Sequence, residues 1–85
     1  MTGPRPGQRW RPRAALPNML PRIVLAVGEA DRVGFDTPQP CLWWTRSERI
    51  ARAFQGAFYS AGRGTRCWLE QWQAWVDAND AEVVE

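Results

Sequence analysis

Two hydrophobic periods run along this chain, and the change from one to the other divides it. From Arg22 to Val27 and again from Arg32 to Asp36 the period is that of a strand. Ile23, Leu25 and Val27 share one face, while Val33 and Phe35 interleave with Arg32, Gly34 and Asp36. The polar, glycine-containing stretch Gly28 to Asp31 between them predicts a hairpin with one wet side. Upstream, Pro6-Gly7 is a turn signal that launches a short strand through Gln8, Arg9, Trp10 and Arg11, limited by Pro12. Pro17 and Pro21 block regular pairing from Ala14 to Pro21, which predicts a loop wrapped onto the body by Leu16, Met19 and Leu20. After Thr37-Pro38-Gln39-Pro40 a short strand is expected over Cys41 to Trp44.

From Thr45 the period becomes helical. Thr45 and Glu48 have capping-box spacing, in which each side chain satisfies a free backbone N–H. Ile50, Ala53, Phe54, Ala57 and Phe58 then recur at i, i+3, i+4, i+7 and i+8, so a helix is predicted over Thr45 to Tyr59, with Gly62 as its stop. Glu48 and Arg52 are spaced for an i,i+4 pair. A second helix is predicted from Trp68, Leu69, Trp72, Trp75 and Val76, with Glu70, Gln71 and Asp77 opposite, ending at Asn79-Asp80. Val83 and Val84 are spaced to close the sheet as a last short strand. The expected fold is α+β, a small antiparallel sheet with two amphipathic helices. It forms a single domain over residues 7–85 behind a flexible tail, 1–6.

Length explains the aromatic content. A domain of 85 residues buries only about 60–65% of its unfolded surface, so a few large side chains must carry its stability. Six Trp, three Phe and one Tyr provide that bulk. The only cysteines are Cys41 and Cys67, and no apolar secretory run accompanies them, which favours two reduced thiols and a cytoplasmic protein. The longest apolar stretch, Ile23 to Val27, is far too short to span a bilayer. All eleven basic residues are arginine, and they are unevenly spread. Met1 to Arg22 holds five arginines and no acid, whereas Leu69 to Glu85 holds five acids and no base. Such ends pair with each other or mark two binding surfaces.

Candidate chemistry is sparse. Histidine is absent, which removes the commonest general base and metal ligand, and two cysteines alone do not complete a zinc site. No phosphate-cradling motif is present, and Gly62-Arg63-Gly64 reads as a turn. The expectation is a non-catalytic protein without metal or cofactor. Arg46, Arg49 and Arg52 flank the stripe of the first helix, either as a solvated edge or as a basic surface for phosphate or an acidic protein. Trp43 and Trp44 are adjacent on a strand and so face opposite ways. At least one is therefore a candidate for exposure beside arginine, the composition of an interaction hot spot. The Trp68, Trp72 and Trp75 stripe reads first as core. Arg9, Arg11 and Arg13, interleaved with Trp10, together with Arg63 and Arg66, form an alternative nucleic-acid surface.

Pro6-Gly7-Gln8-Arg9-Trp10, the span Ile23 to Phe35, and Cys67 to Val84 with its W-x2-W-V spacing together resemble small phage-encoded SH3-like barrel proteins. The proline-rich loop from Pro12 to Pro21 and the helix from Thr45 to Tyr59 depart from that pattern. The resemblance implies an SH3-like or partly open sheet and a counter-defence accessory protein, similar in kind to anti-CRISPR inhibitors, that occludes a host macromolecular complex. On that reading Trp43, Trp44, Arg46, Arg49 and Arg52 would meet the partner. A nucleic-acid-binding module and a self-assembling structural subunit remain as alternatives.

Overall fold

The structure is a computed structural model that describes residues 3–14, 16, 18–53 and 64–84. Five strands and two helices follow in the order β1 (Arg9–Pro12), β2 (Arg22–Ala30), β3 (Gln39–Thr45), α1 (Glu48–Ala53), β4 (Thr65–Trp68), α2 (Leu69–Asn79) and β5 (Ala81–Val83). The strands form one antiparallel sheet in the order β4-β3-β2-β1-β5. Among the described residues no ladder joins β4 to β5, so the sheet is open, and the fold is α+β with the sheet dominant.

The first turn forms as its sequence dictates. Gly7 has φ +91, which glycine adopts without strain after a proline, and the Gln8 N–H donates to the Arg5 carbonyl at 3.1 Å. The Gly7 N–H then donates to the Val24 carbonyl and the Val24 N–H to the Gln8 carbonyl, carrying the β1–β2 pairing past the end of β1. The following loop does not wrap the body as expected: Leu16, Met19 and Leu20 are exposed.

The hairpin formed by β2 differs from its prediction. Gly28 to Asp31 is not the turn: β2 continues to Ala30 and pairs with β3, from Ile23 opposite Thr45 to Ala30 opposite Gln39. Arg32 to Asp36 belongs to the connecting loop, where Gly34 has φ +90 and Val33 is fully exposed. Two aromatic side chains and an acid hold this loop in place of a ladder. The Arg32 guanidinium lies 4.9 Å from the ring centroids of both Phe35 and Trp68 and pairs with Glu70.

Nor does β2 have one wet side. Ile23, Val24 and Leu25 are all buried, because both faces of the sheet are covered at that point. A bulge lies between Val24, opposite Trp44, and Ala26, opposite Trp43, so Leu25 is the extra residue. The shift moves Val27 out of the face predicted for it, opposite Leu42, where it is 44% exposed.

The core lies between the sheet and α2. Val24, Leu42 and Trp72 are its buried centre, with Trp10, Trp44, Cys67, Leu69, Trp75 and Val76 packed around them. The predicted stripe of α2 is thus confirmed at Trp72, which is 1% exposed. At the helix start the Gln71 Oε1 accepts the Trp68 N–H at 3.0 Å. At its end Asp80 adopts a left-handed conformation, φ 47, and its N–H returns to the Asp77 carbonyl.

On the opposite face, α1 approaches β2 and β3. Its cap is Ser47, not Thr45: the Ile50 N–H donates to Ser47 Oγ at 3.2 Å, while Thr45 Oγ1 accepts the Ser47 N–H at 3.0 Å and so closes the preceding turn. Serine sits three residues before Ile50, the spacing an N-cap requires, and buried Thr45 remains part of the sheet. Glu48 turns to Arg9 and not to Arg52. The rest of that helix's predicted stripe, Phe54, Ala57 and Phe58, lies outside the described residues. None of the helices among the described residues is long and apolar enough to cross a membrane.

Candidate interaction face

The start of β2 and the end of β3 bring four residues into one stack. Arg22 opens β2 directly opposite Trp10 of β1. Trp44 is opposite Val24, two residues along the same face of the sheet. Trp75 comes from α2, one turn beyond the buried Trp72. The Arg22 guanidinium carbon lies 4.0 Å from the Trp44 centroid and 4.0 Å from that of Trp75, with Trp72 at 5.9 Å. Arg46, exposed at the end of β3, lies 5.1 Å from the Trp44 centroid. On the inner side the stack continues through Trp72, tilted against Trp75 at 5.2 Å and edge-on to Trp10 at 6.0 Å. Indole faces attract guanidinium, and more so as water is excluded, so the aromatic core continues outward as a cationic edge.

Charge on this edge is not neutralised. Among the described residues the ion pairs are Arg9 with Glu48, Arg13 with Asp80 and Glu82, and Arg32 with Glu70; neither Arg22 nor Arg46 has an acid. Burial first, and then the nearby Arg46 charge, pull the Arg22 pKa below the ordinary arginine value. It remains charged at neutral pH all the same. Its Nε is buried without an acceptor, whereas the terminal Nη nitrogens are not sealed in. The Trp44 indole N–H is likewise buried and makes no bond to oxygen or nitrogen among the described residues.

The residues expected to meet a partner are only partly gathered here. Trp44 and Arg46 belong to the stack. Trp43 does not: it faces the other way, opposite Arg66 and Ala26, with its six-membered ring over Gly28. Neither tryptophan stands free in solvent, since both are half-buried. Arg49 and Arg52 are exposed on α1, where the Arg52 charge helps hold Glu48 ionised.

The alternative nucleic-acid set is dispersed. Arg9 and Arg13 are held in the ion pairs just named, Arg11 stands opposite Glu82 in the β1–β5 ladder, and Arg66 stacks on Trp68 at 5.1 Å. Arg63 lies outside the described residues. Arg22 and Trp75 were not legible as site residues. Arg22 looked like the polar start of a strand, and Trp75 like one more core position.

Cys41 and Cys67 are free thiols. Burial pushes both above the usual thiol pKa, offset in part at Cys41 by Arg66 and at Cys67 by the Trp44 indole N–H and by Arg22. Among the described residues no three His, Cys, Asp or Glu side chains gather as a metal site. Comparison with protein families, curated proteins and solved structures finds no match to this chain.

Proposed function

We propose that the protein is a non-catalytic binding module that engages an acidic surface of a partner protein through Arg22, Trp44 and Arg46. One observation carries the reading: two arginines stacked on one half-buried tryptophan, with no acid of their own among the described residues. Buried tryptophan and arginine in contact are the composition of interface hot spots, where desolvated cation–π and charge contacts concentrate binding energy. A compact edge of this kind favours a protein over a nucleic-acid backbone, which needs a row of cations; Arg9 and Arg13, which would extend the row, already hold acids.

The strand order β4-β3-β2-β1-β5, with α2 placed between β4 and β5, supports an SH3-like reading of the sheet. With the sequence resemblance, it supports a phage-type accessory protein that inhibits a host complex by occlusion. The absence of histidine supports a role without catalysis. Free Cys41 and Cys67 fit the reducing cytoplasm.

The test is retention of partners from a nuclease-treated bacterial lysate by tagged wild-type protein and by Arg46→Glu, which reverses an exposed charge without touching the core. A discrete protein complex held by the wild type and lost with Arg46→Glu is expected. Retention that vanishes with nuclease would move the function to nucleic acid, and retention indifferent to Arg46→Glu would remove this face from it.

A further inference from the structure

Arg22 is placed unlike the other described arginines of this chain. A cation taken partly out of water normally keeps an acid beside it, because the uncompensated charge is costly. Arg22 instead has two indoles at 4.0 Å and a second cation, Arg46, as its electrostatic neighbour. If packing between Trp44 and Trp75 were its whole purpose, an uncharged methionine would fill the space at lower cost.

What the arrangement preserves is the outer edge of the guanidinium. Nε is buried, while the Nη nitrogens are not sealed in and have no acceptor among the described residues. The two tryptophans restrict the plane and the side-chain rotamer, so little freedom remains to be lost when a ligand arrives. A carboxylate meets such an edge with two parallel N–H···O bonds, and Arg46, 5.1 Å from the Trp44 centroid, adds a second attraction to the same anion.

We propose that Arg22, clamped by Trp44 and Trp75, is the receptor for a single Asp or Glu carboxylate in an acidic segment of the partner protein. The proposal rests on the protein-binding reading given above and names its central contact. A phosphate chain is disfavoured by the neighbours. Across β1 from Arg22 runs β5, whose Glu82, with Asp80 just before it, already holds Arg13, so that cation does not extend a track for a polyanion, whereas a single carboxylate needs only Arg22 and Arg46.

The test is a titration followed through the indole N–H and guanidinium N–H resonances of the protein. The probes are the capped pentapeptide Gly-Gly-Glu-Gly-Gly, its Gln counterpart, inorganic phosphate and a short single-stranded DNA. The Glu peptide is expected to shift the Arg22, Trp44 and Trp75 signals saturably, and the Gln peptide to leave them in place. Arg22→Lys, a charge without the planar fork, should weaken the Glu peptide by about tenfold. Arg22→Met should abolish its binding while the urea midpoint shows that the fold survives. Equal response to the Glu and Gln peptides, unchanged binding by Arg22→Met, or stronger shifts from phosphate or DNA would each overturn the proposal. If the Glu peptide fails while partner retention still depends on Arg46, this contact is wrong and the binding reading stands. If retention is also indifferent to Arg46, both fall.

Discussion

Arg9 holds both carboxylate oxygens of Glu48 from 39 residues away, with Nη2 at 2.7 Å from each and Nε at 3.0 Å from Oε1. This fork ties β1 to the first turn of α1. The hydrogen bonds from Arg9 come first among the causes that hold the Glu48 carboxyl below its ordinary value of 4.5, with the Arg9 and Arg52 charges adding to them. A depressed carboxylate contributes stability above its unfolded pKa and loses it as pH falls through the folded one. Comparing wild type with Glu48→Gln by urea midpoint, we expect a constant gap from pH 7 down to about 5, narrowing below about 4.5 and closing at lower pH. The gap should also shrink in high salt, because both side chains are partly exposed. A gap unchanged down to acid pH would mean that the pair adds nothing as an ion pair.

Val33 separates the predicted hairpin from the observed one. As the centre of a strand it would face a neighbour; in the loop it is fully exposed. Val33→Ser should therefore change stability by no more than about 0.5 kcal/mol. A loss comparable with that of a buried valine would restore Arg32 to Asp36 to the sheet.

The contrast with Val33 shows what could be read in advance. The stripe Trp72, Trp75 and Val76 was legible because helical period and aromatic volume point the same way in so short a chain. Pro6-Gly7 was legible because only a turn satisfies that pair. The β2 partner was not, since Val33 and Phe35 alternate like a strand, and nothing local reveals that Arg32 is drawn to Phe35, Trp68 and Glu70. Nor does alternation reveal the bulge at Leu25, which reverses the faces of every later residue in β2. The Arg22 stack depends on that register and on α2 lying over it, so residue types alone offered Trp44 and Arg46 as candidates but not the contact that joins them.

Trp72 sets the scale of the core. At 1% exposure it is the largest fully buried side chain among the described residues, and none of them offers its indole N–H an acceptor. Trp72→Ala should cost about 3–5 kcal/mol. Native domains hold about 0.05–0.15 kcal/mol per residue, or about 4–13 kcal/mol in a chain of this length, so the loss takes a large share of the stability and the urea midpoint should fall steeply. Trp72→Phe leaves a smaller cavity and removes the unsatisfied donor, a group that costs about 1–3 kcal/mol when buried unpaired. Its expected loss is less than half that of Trp72→Ala, by thermal or urea unfolding.

Gly64 is fixed by closeness and not by backbone conformation. A Cβ there would lie 2.6 Å from Leu25 Cδ1 and 2.8 Å from the Trp44 carbonyl oxygen. The Leu25 methyl could rotate, but its side chain is itself buried, and the carbonyl oxygen belongs to β3, paired on one side with β2 and on the other with β4. Relief requires β4 to move away from β3 at the residue that carries the Arg22 stack. Gly64→Ala should thus cost about 1–3 kcal/mol in the urea midpoint, the usual penalty of overpacking. It should also displace the Trp44 indole resonance in the folded protein. Gly3→Ala, where the added carbon meets nothing within 4 Å, is the control and should be neutral. Loss of stability with no change at Trp44 would show that strain at Gly64 is absorbed by Leu25 alone. Loss of both would tie the geometry of the proposed binding face to the entry of β4 into the sheet.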